Sequence, residues 1–147
     1  FRNNLALELI KNGDMDEGKV ELEKAATLDP ANGGKYYFNL GAVMVNRGNA
    51  VAAADAFRKA TEISPNYSRA YYQLGIALMS SAAIDDNGVP TPVPGTIDAF
   101  QKYVEIDPQG TYAGSARAMI QTLSTTVDLS YTNPDAKKRE RRKRRKK

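Results

Sequence analysis

Lys35–Pro65 reads KYYFNLGAVMVNRGNAVAAADAFRKATEISP, and Arg69–Met79 reads RAYYQLGIALM. The Tyr-x-x-Leu-Gly of residues 37–41 returns at 71–75, 34 residues later. The second half of the quoted stretch also has an earlier copy. GDMDEGKVELEKAATLDP (13–30) aligns with GNAVAAADAFRKATEISP (48–65), so that Gly13/Gly48, Leu22/Phe57, Ala25/Ala60, Leu28/Ile63 and Pro30/Pro65 are each 35 apart. TIDAFQKYVEIDP (96–108) is a third copy of the ending, and LALELIKNG (5–13) an earlier copy of the beginning. A period in the thirties is the mark of a repeat array, in which each unit buries its apolar face on its neighbours.

Within a unit the pattern is helix A, tight turn, helix B, proline stop. Tyr37, Leu40 and Met44, like Tyr71, Leu74 and Leu78, follow the i, i+3, i+7 spacing of an amphipathic helix's core stripe. Gly13 and Gly48 stand where helix A must end in a left-handed residue. Asp14 and Asn49 follow as expected N-caps of helix B, and Thr96 takes that role in the third unit, with Asp98 favouring the dipole of the first turn. Gly41 and Gly75, with Ala25 and Ala60 opposite, let the two helices approach, and Phe57 and Phe100 fill the space between pairs. Tyr103 falls where an alanine is expected, which predicts looser or shifted packing in the third unit.

These residues resemble the tetratricopeptide repeat, whose unit carries aromatic-x-x-Leu-Gly in helix A and Ala…Phe…Ala…Pro through helix B. Over 34–67, Tyr37, Leu40, Gly41, Ala53, Phe57, Ala60 and Pro65 all fall in phase. Over 1–32 the match is partial: Ala6 replaces Gly, and Gly18 and Leu22 replace Ala and Phe. The expected fold is an all-α helix-turn-helix solenoid of about three pairs. The units are 1–33, 34–67 and 68–110, followed by a capping helix over 111–127 on which Tyr112, Ala116, Met119 and Leu123 share one face, and by a linker and tail over 128–147.

The third unit is interrupted by SSAAIDDNGVPTPVPG (80–95), which stretches the Pro65–Pro108 spacing to 43. Asn87-Gly88 signals a turn, and Pro90, Pro92 and Pro94 favour extended backbone. The segment reads as a lengthened surface loop or as a contact element at one edge of the array. It is no calcium loop, since the acid needed two residues before Asp85 is Ala83 and the closing glutamate is Pro94.

The resemblance also implies a site. In this family helix A lines a concave face that takes an extended peptide or a helix. Here that places Lys35, Phe38, Asn39, Ala42, Val45 and Asn46 from the second unit, and Arg69, Tyr72, Gln73, Ile76 and Met79 from the third, in the groove. Asn3, Leu7, Ile10 and Lys11 are their first-unit counterparts. Some relatives clamp a peptide's terminal carboxylate with lysine and asparagine, asparagine, then lysine and arginine, from three successive repeats. Asn39 and Arg69 fit that set, whereas Asn3, Leu7 and Gln73 do not, so the implied ligand is a helix or apolar peptide with a polar or acidic flank.

The net charge of +4 conceals a division. Residues 137–147, KKRERRKRRKK, carry ten Lys/Arg and one Glu, hence +9, which leaves −5 for residues 1–136. A run of this kind cannot bury apolar surface and is expected to be disordered. Lys137, Lys138, Arg139, Arg141, Arg142, Lys143, Arg144, Arg145, Lys146 and Lys147 have the means to grip a polyanion, nucleic acid or an anionic membrane surface, by counterion release. A nuclear-import signal in a eukaryotic host would look similar, and so would a tail that merely aids solubility. No aromatic interleaves the run, so base stacking is not indicated.

Cysteine and histidine are both absent, which removes disulfides, thiol and imidazole chemistry and nearly every zinc site. No Gly-rich phosphate loop or nucleophile elbow is present. The acid pairs Asp16/Glu17 and Glu21/Glu23 sit among Lys19 and Lys24 as ordinary surface charges. The chain therefore reads as a non-enzymatic, cofactor-free scaffold for a protein partner, or alternatively as a polyanion binder through its tail. No apolar run reaches the roughly 20 residues of a membrane helix. Phe1 opens inside a helical pattern with no initiator Met, so the chain is expected to be the C-terminal piece of a longer protein. Its segment 88–120 resembles the ends of certain bacterial repeat proteins, some envelope-targeted, which tilts the expected source toward bacteria and the cell envelope.

Overall fold

Left-handed glycines punctuate the chain at Gly13 (φ 108°) and Gly48 (φ 70°), the positions where helix A was expected to stop. The computed structural model of the chain describes residues 1–84, 91 and 93–131, the last six as backbone alone. Seven helices run in order: α1 (Arg2–Asn12), α2 (Met15–Leu28), α3 (Pro30–Asn46), α4 (Ala50–Ile63), α5 (Ser68–Ser80), α6 (Thr96–Ile106) and α7 (Ala113–Tyr131). Each packs mainly on its sequence neighbours, α1 on α2, α3 on α4, α5 on α6, with α4–α5 and α6–α7 joining the pairs into a solenoid.

The contact that sets the pairing is an aromatic ring on a bare backbone. Phe57 of α4 is 1% exposed and lies against Gly41 of α3, where a methyl group would stand 2.5 Å from the ring. Phe100 of α6 repeats the arrangement on Gly75 of α5, where the distance would be 2.7 Å. In the first pair Leu22 replaces the phenylalanine, and the close approach moves elsewhere: Gly18 of α2 leaves room for Ile10 and the Ala6 carbonyl of α1. Burying such a ring is worth about 2–3 kcal/mol, more than any single hydrogen bond here.

Capping departs from expectation at two of three sites. Asn49 does cap α4, its side-chain oxygen accepting the Ala52 N–H at 3.0 Å. Asp14 makes no such bond at α2. Thr96 is the first residue of α6, and the cap is Gly95 at φ 87°. Thr96 is 1% exposed, and its hydroxyl donates backwards to the Val93 carbonyl at 2.6 Å, a bond that ties the end of the interruption to the helix. Asn49→Ala is expected to lower stability by about 1 kcal/mol, whereas Asp14→Ala costs much less; paired urea denaturation curves measure the difference.

Tyr103 brings no looseness. At 1% exposure it fills the α6–α7 interface, and its hydroxyl oxygen accepts the Tyr112 N–H at 3.0 Å. The space it needs beyond an alanine is left by Gly110, where a Cβ would collide with the Tyr103 hydroxyl and the Asp107 carboxylate. α7 covers the face of α6, with Ala113 and Ala116 buried and Met119, Ile120 and Leu123 packed around them.

Candidate functional site

The expected groove residues occupy one stripe of α3, from Lys35 to Asn46, and one of α5, from Arg69 to Met79. On α3 the stripe is open: Lys35, Ala42, Val45 and Asn46 are exposed, while Phe38 and Asn39 are half-buried. On α5 only Arg69 is fully exposed, and Tyr72, Gln73, Ile76 and Met79 are half-buried.

Phe38 anchors the centre. Its ring meets Phe57 at 5.4 Å and Tyr67 at 5.1 Å between centroids, both tilted. The Arg69 guanidinium lies over the same ring with Cζ 5.4 Å from the centroid, a cation–π contact. The structure thus brings Phe38 and Arg69 together across the α3–α5 junction. Lys35 turns to its own helix instead, its ammonium donating to Asn32 Oδ1 at 3.1 Å. Burial pushes the Tyr67 phenol up from its ordinary value, with Arg69 acting in the opposite sense.

Tyr72 holds the repeat-equivalent place of Phe38 and is likewise half-buried. It stacks on Tyr112 of the loop before α7 at 4.4 Å and 13° between planes, and meets Phe100 at 5.7 Å and Tyr103 at 5.4 Å. Ile76 and Met79 pack on the same cluster as Met119, Ile120 and Leu123 of α7. So the α5 half of the strip is partly covered by Tyr112 and α7.

Ile10, expected in the groove, is fully buried, because the missing side chain of Gly18 draws it into the α1–α2 interface. Asn3 and Leu7 are half-buried and Lys11 is exposed. Sequence reasoning missed Tyr67, and Arg47, which follows α3 and whose guanidinium donates to the Ile10 carbonyl near the end of α1. Nothing in spacing marks either, whereas Tyr112, expected on the apolar face of the capping helix, lies one residue before it. Among the described residues no group of three or more acidic side chains is placed to hold a metal ion, and no helix is long and apolar enough to cross a membrane. The tail Lys137–Lys147 and residues 85–90 and 92 of the interruption lie outside the described residues.

The tetratricopeptide repeat family matches residues 1–32 and 34–67. Residues 1–67 are two tetratricopeptide repeats. A curated tetratricopeptide-repeat relative, the small glutamine-rich tetratricopeptide repeat-containing protein 2 of Mycosarcoma maydis, is 34% identical over 85 residues. The aligned part is 58% of this chain and 21% of the relative, so this chain spans about a fifth of that protein's length. Tetratricopeptide-repeat proteins are typically non-catalytic scaffolds that bind protein partners.

Proposed function

We propose that the array binds a helix or extended apolar peptide along the α3/α5 strip. The observation that carries this is the graded surface itself: Ala42 and Val45, the latter 50% exposed, form an open apolar floor on α3. Phe38, with Arg69 over its ring, closes one side. Apolar surface of this kind beside a cation suits a ligand whose apolar side chains lie next to an acidic one. The same reading extends the repeat organisation to a third unit over 68–110, interrupted at 80–95, with 111–127 as its cap.

The test is affinity capture of partners with the intact chain, with Ala42→Arg/Val45→Arg, and with a chain ending at Asp135, each with and without nuclease. Both arginine substitutions sit on exposed positions, so the fold is retained. Partners lost by at least about tenfold with the arginine pair, yet kept after truncation and nuclease, are the expected result. Partners unaffected by the arginine pair would overturn the groove reading.

A second reading, polyanion binding through Lys137–Lys147, rests on the segregation of +9 in the tail from −5 in the remainder. It is expected to disappear on truncation, to fall steeply with salt, and to be indifferent to Ala42→Arg/Val45→Arg.

A further inference from the structure

α2 and α4 both pack on α3 and hardly on each other. Between them lies an open cleft of about 470 Å³, with α3 as its floor. Leu22, Leu40 and Met44, all buried, supply an apolar bed, and Met15 stands half-buried beside them. The two thioethers let that bed adapt to side chains laid on it. The cleft has its width because α4 lines it with small side chains, Ala52 and Ala56. Along α2 the lining runs from Met15 to Glu23, and along α4 from Asn49 to Lys59, about 12 Å and about 15 Å at the helical rise per residue. A trough about two to three turns long, walled by two helices, has the proportions of a seat for a third.

The charges on the two walls differ in what they still lack. On the α4 wall, Asp55 is held by Arg58 at 2.7 Å and Lys59 by Glu62 at 3.5 Å, each on its own helix. On the α2 wall, Lys19 and Glu23 are exposed and one turn apart, and among the described residues neither side chain has an ion-pair or hydrogen-bond partner. Tyr37 lines the cleft from the floor. Burial, and after it the Glu23 charge, pushes its phenol up from the ordinary value. The hydroxyl is therefore neutral at physiological pH, and it too has no hydrogen bond among the described residues. An unpaired cation and an unpaired anion one turn apart are complemented by an anion and a cation one turn apart on the helix that faces them.

We propose that the α2/α4 cleft seats an amphipathic helix of a protein partner, its apolar stripe flanked by one acidic and one basic residue a turn apart, the acid meeting Lys19 and the base Glu23. A base placed there can also donate to the Tyr37 hydroxyl. The match holds whichever way the helix runs, since reversal only exchanges the order of its two charges. The cleft shares no residue with the α3/α5 strip, so the array offers two separate sites on two stripes of α3. Exposed pairs at a rim add little affinity each, and their role is to choose among apolar helices.

The four methionines make the test local: Met15 and Met44 line the cleft, Met79 belongs to the α3/α5 strip and Met119 to α7. The whole chain, labelled at its methionine methyls, is titrated in low salt with three synthetic helices of about 14 residues, to about 1 mM. All three carry the same leucine stripe, flanked by Glu and Lys, by two Lys, or by two Glu. The Glu/Lys peptide is expected to move the Met15 and Met44 signals, to leave Met79 in place, and to bind about threefold more tightly than either like-charged peptide. Net charge alone would rank the three in order of charge, with the mixed peptide in the middle. Lys19→Glu is expected to turn the preference to the two-lysine peptide, and Glu23→Lys to the two-glutamate peptide, again by about threefold. Both positions are exposed, so the fold is retained. No movement at Met15 and Met44 with any peptide would overturn the proposal. So would movement at Met79 in their place, the mixed peptide ranked in the middle, or preferences that ignore both substitutions. Met15 and Met44 signals that already change when the chain is ended at Asp135, with no peptide added, would assign the cleft to the tail instead.

Discussion

Phe57→Ala is expected to lower the free energy of unfolding by about 3–5 kcal/mol, a large part of what a chain of this size has available. The ring is 1% exposed, lies 5.4 Å from Phe38 between centroids and rests on Gly41, so truncation opens a cavity in the middle of the array. The signature lies in the pairing with Gly41. With Phe57 present, Gly41→Ala forces a methyl group into the ring and is expected to cost about 1–3 kcal/mol. In the Phe57→Ala background the methyl has room, and the better helix propensity of alanine makes the same change neutral or stabilising by up to about 1 kcal/mol. A double-mutant cycle from urea denaturation measures this; simple additivity would mean that the ring and the glycine do not set the approach of α3 and α4.

Tyr103→Ala is expected to cost a similar amount, about 3–5 kcal/mol, but in a different place. Tyr103 belongs to the last interface, where it meets Tyr72 and Tyr112 and accepts the Tyr112 N–H. Repeat arrays are stabilised pair by pair, so the loss stays local. Hydrogen exchange should show α6 and α7 losing protection while α3 and α4 keep most of theirs. Tyr103→Phe keeps the ring and removes only the acceptor, leaving the Tyr112 N–H unsatisfied, for about 1–3 kcal/mol. Equal protection loss along the whole chain on Tyr103→Ala would show that the array unfolds as one unit.

The parts of this fold that were legible in the sequence are those that repeat. Phe57 and Phe100 against Gly41 and Gly75, and the turns at Gly13 and Gly48, follow from residues that recur in phase, because each copy solves the same packing problem. What escaped were the solutions made once. Tyr103 looked like a defect because its partner, Gly110, has no counterpart in the other units, where Asn32 and Tyr67 stand. Thr96 has the chemistry of a cap yet bonds backwards to Val93, since the interruption delivers the chain to α6 through Gly95. Ile10 shares its place in the pattern with the exposed Val45, and only the substitution of Gly18 for Ala53 turns it inward. The stripes expected on α3 and α5 each lie along one helix, while the stacking of Tyr112 on Tyr72 depends on the connection between α6 and α7, which the other units do not repeat.

The joints between pairs are unequal, and that bears on how the molecule can deform. α4 and α5 are separated by Ser64–Tyr67, but α2 and α3 share a single residue, Asp29, which ends one helix and begins the other at Pro30. Its carboxylate accepts from the Tyr36 hydroxyl at 2.6 Å and from Asn32 Nδ2 at 2.9 Å, bonds that hold its pKa below the usual carboxylate range, so they persist at neutral pH and are lost as acid protonates the group. The two joints are thus fixed by different means: acid loosens the single hydrogen-bonded residue between α2 and α3, whereas the four residues between α4 and α5 are held by the apolar contact of Tyr67 with Phe38, which the protonation of Asp29 leaves intact.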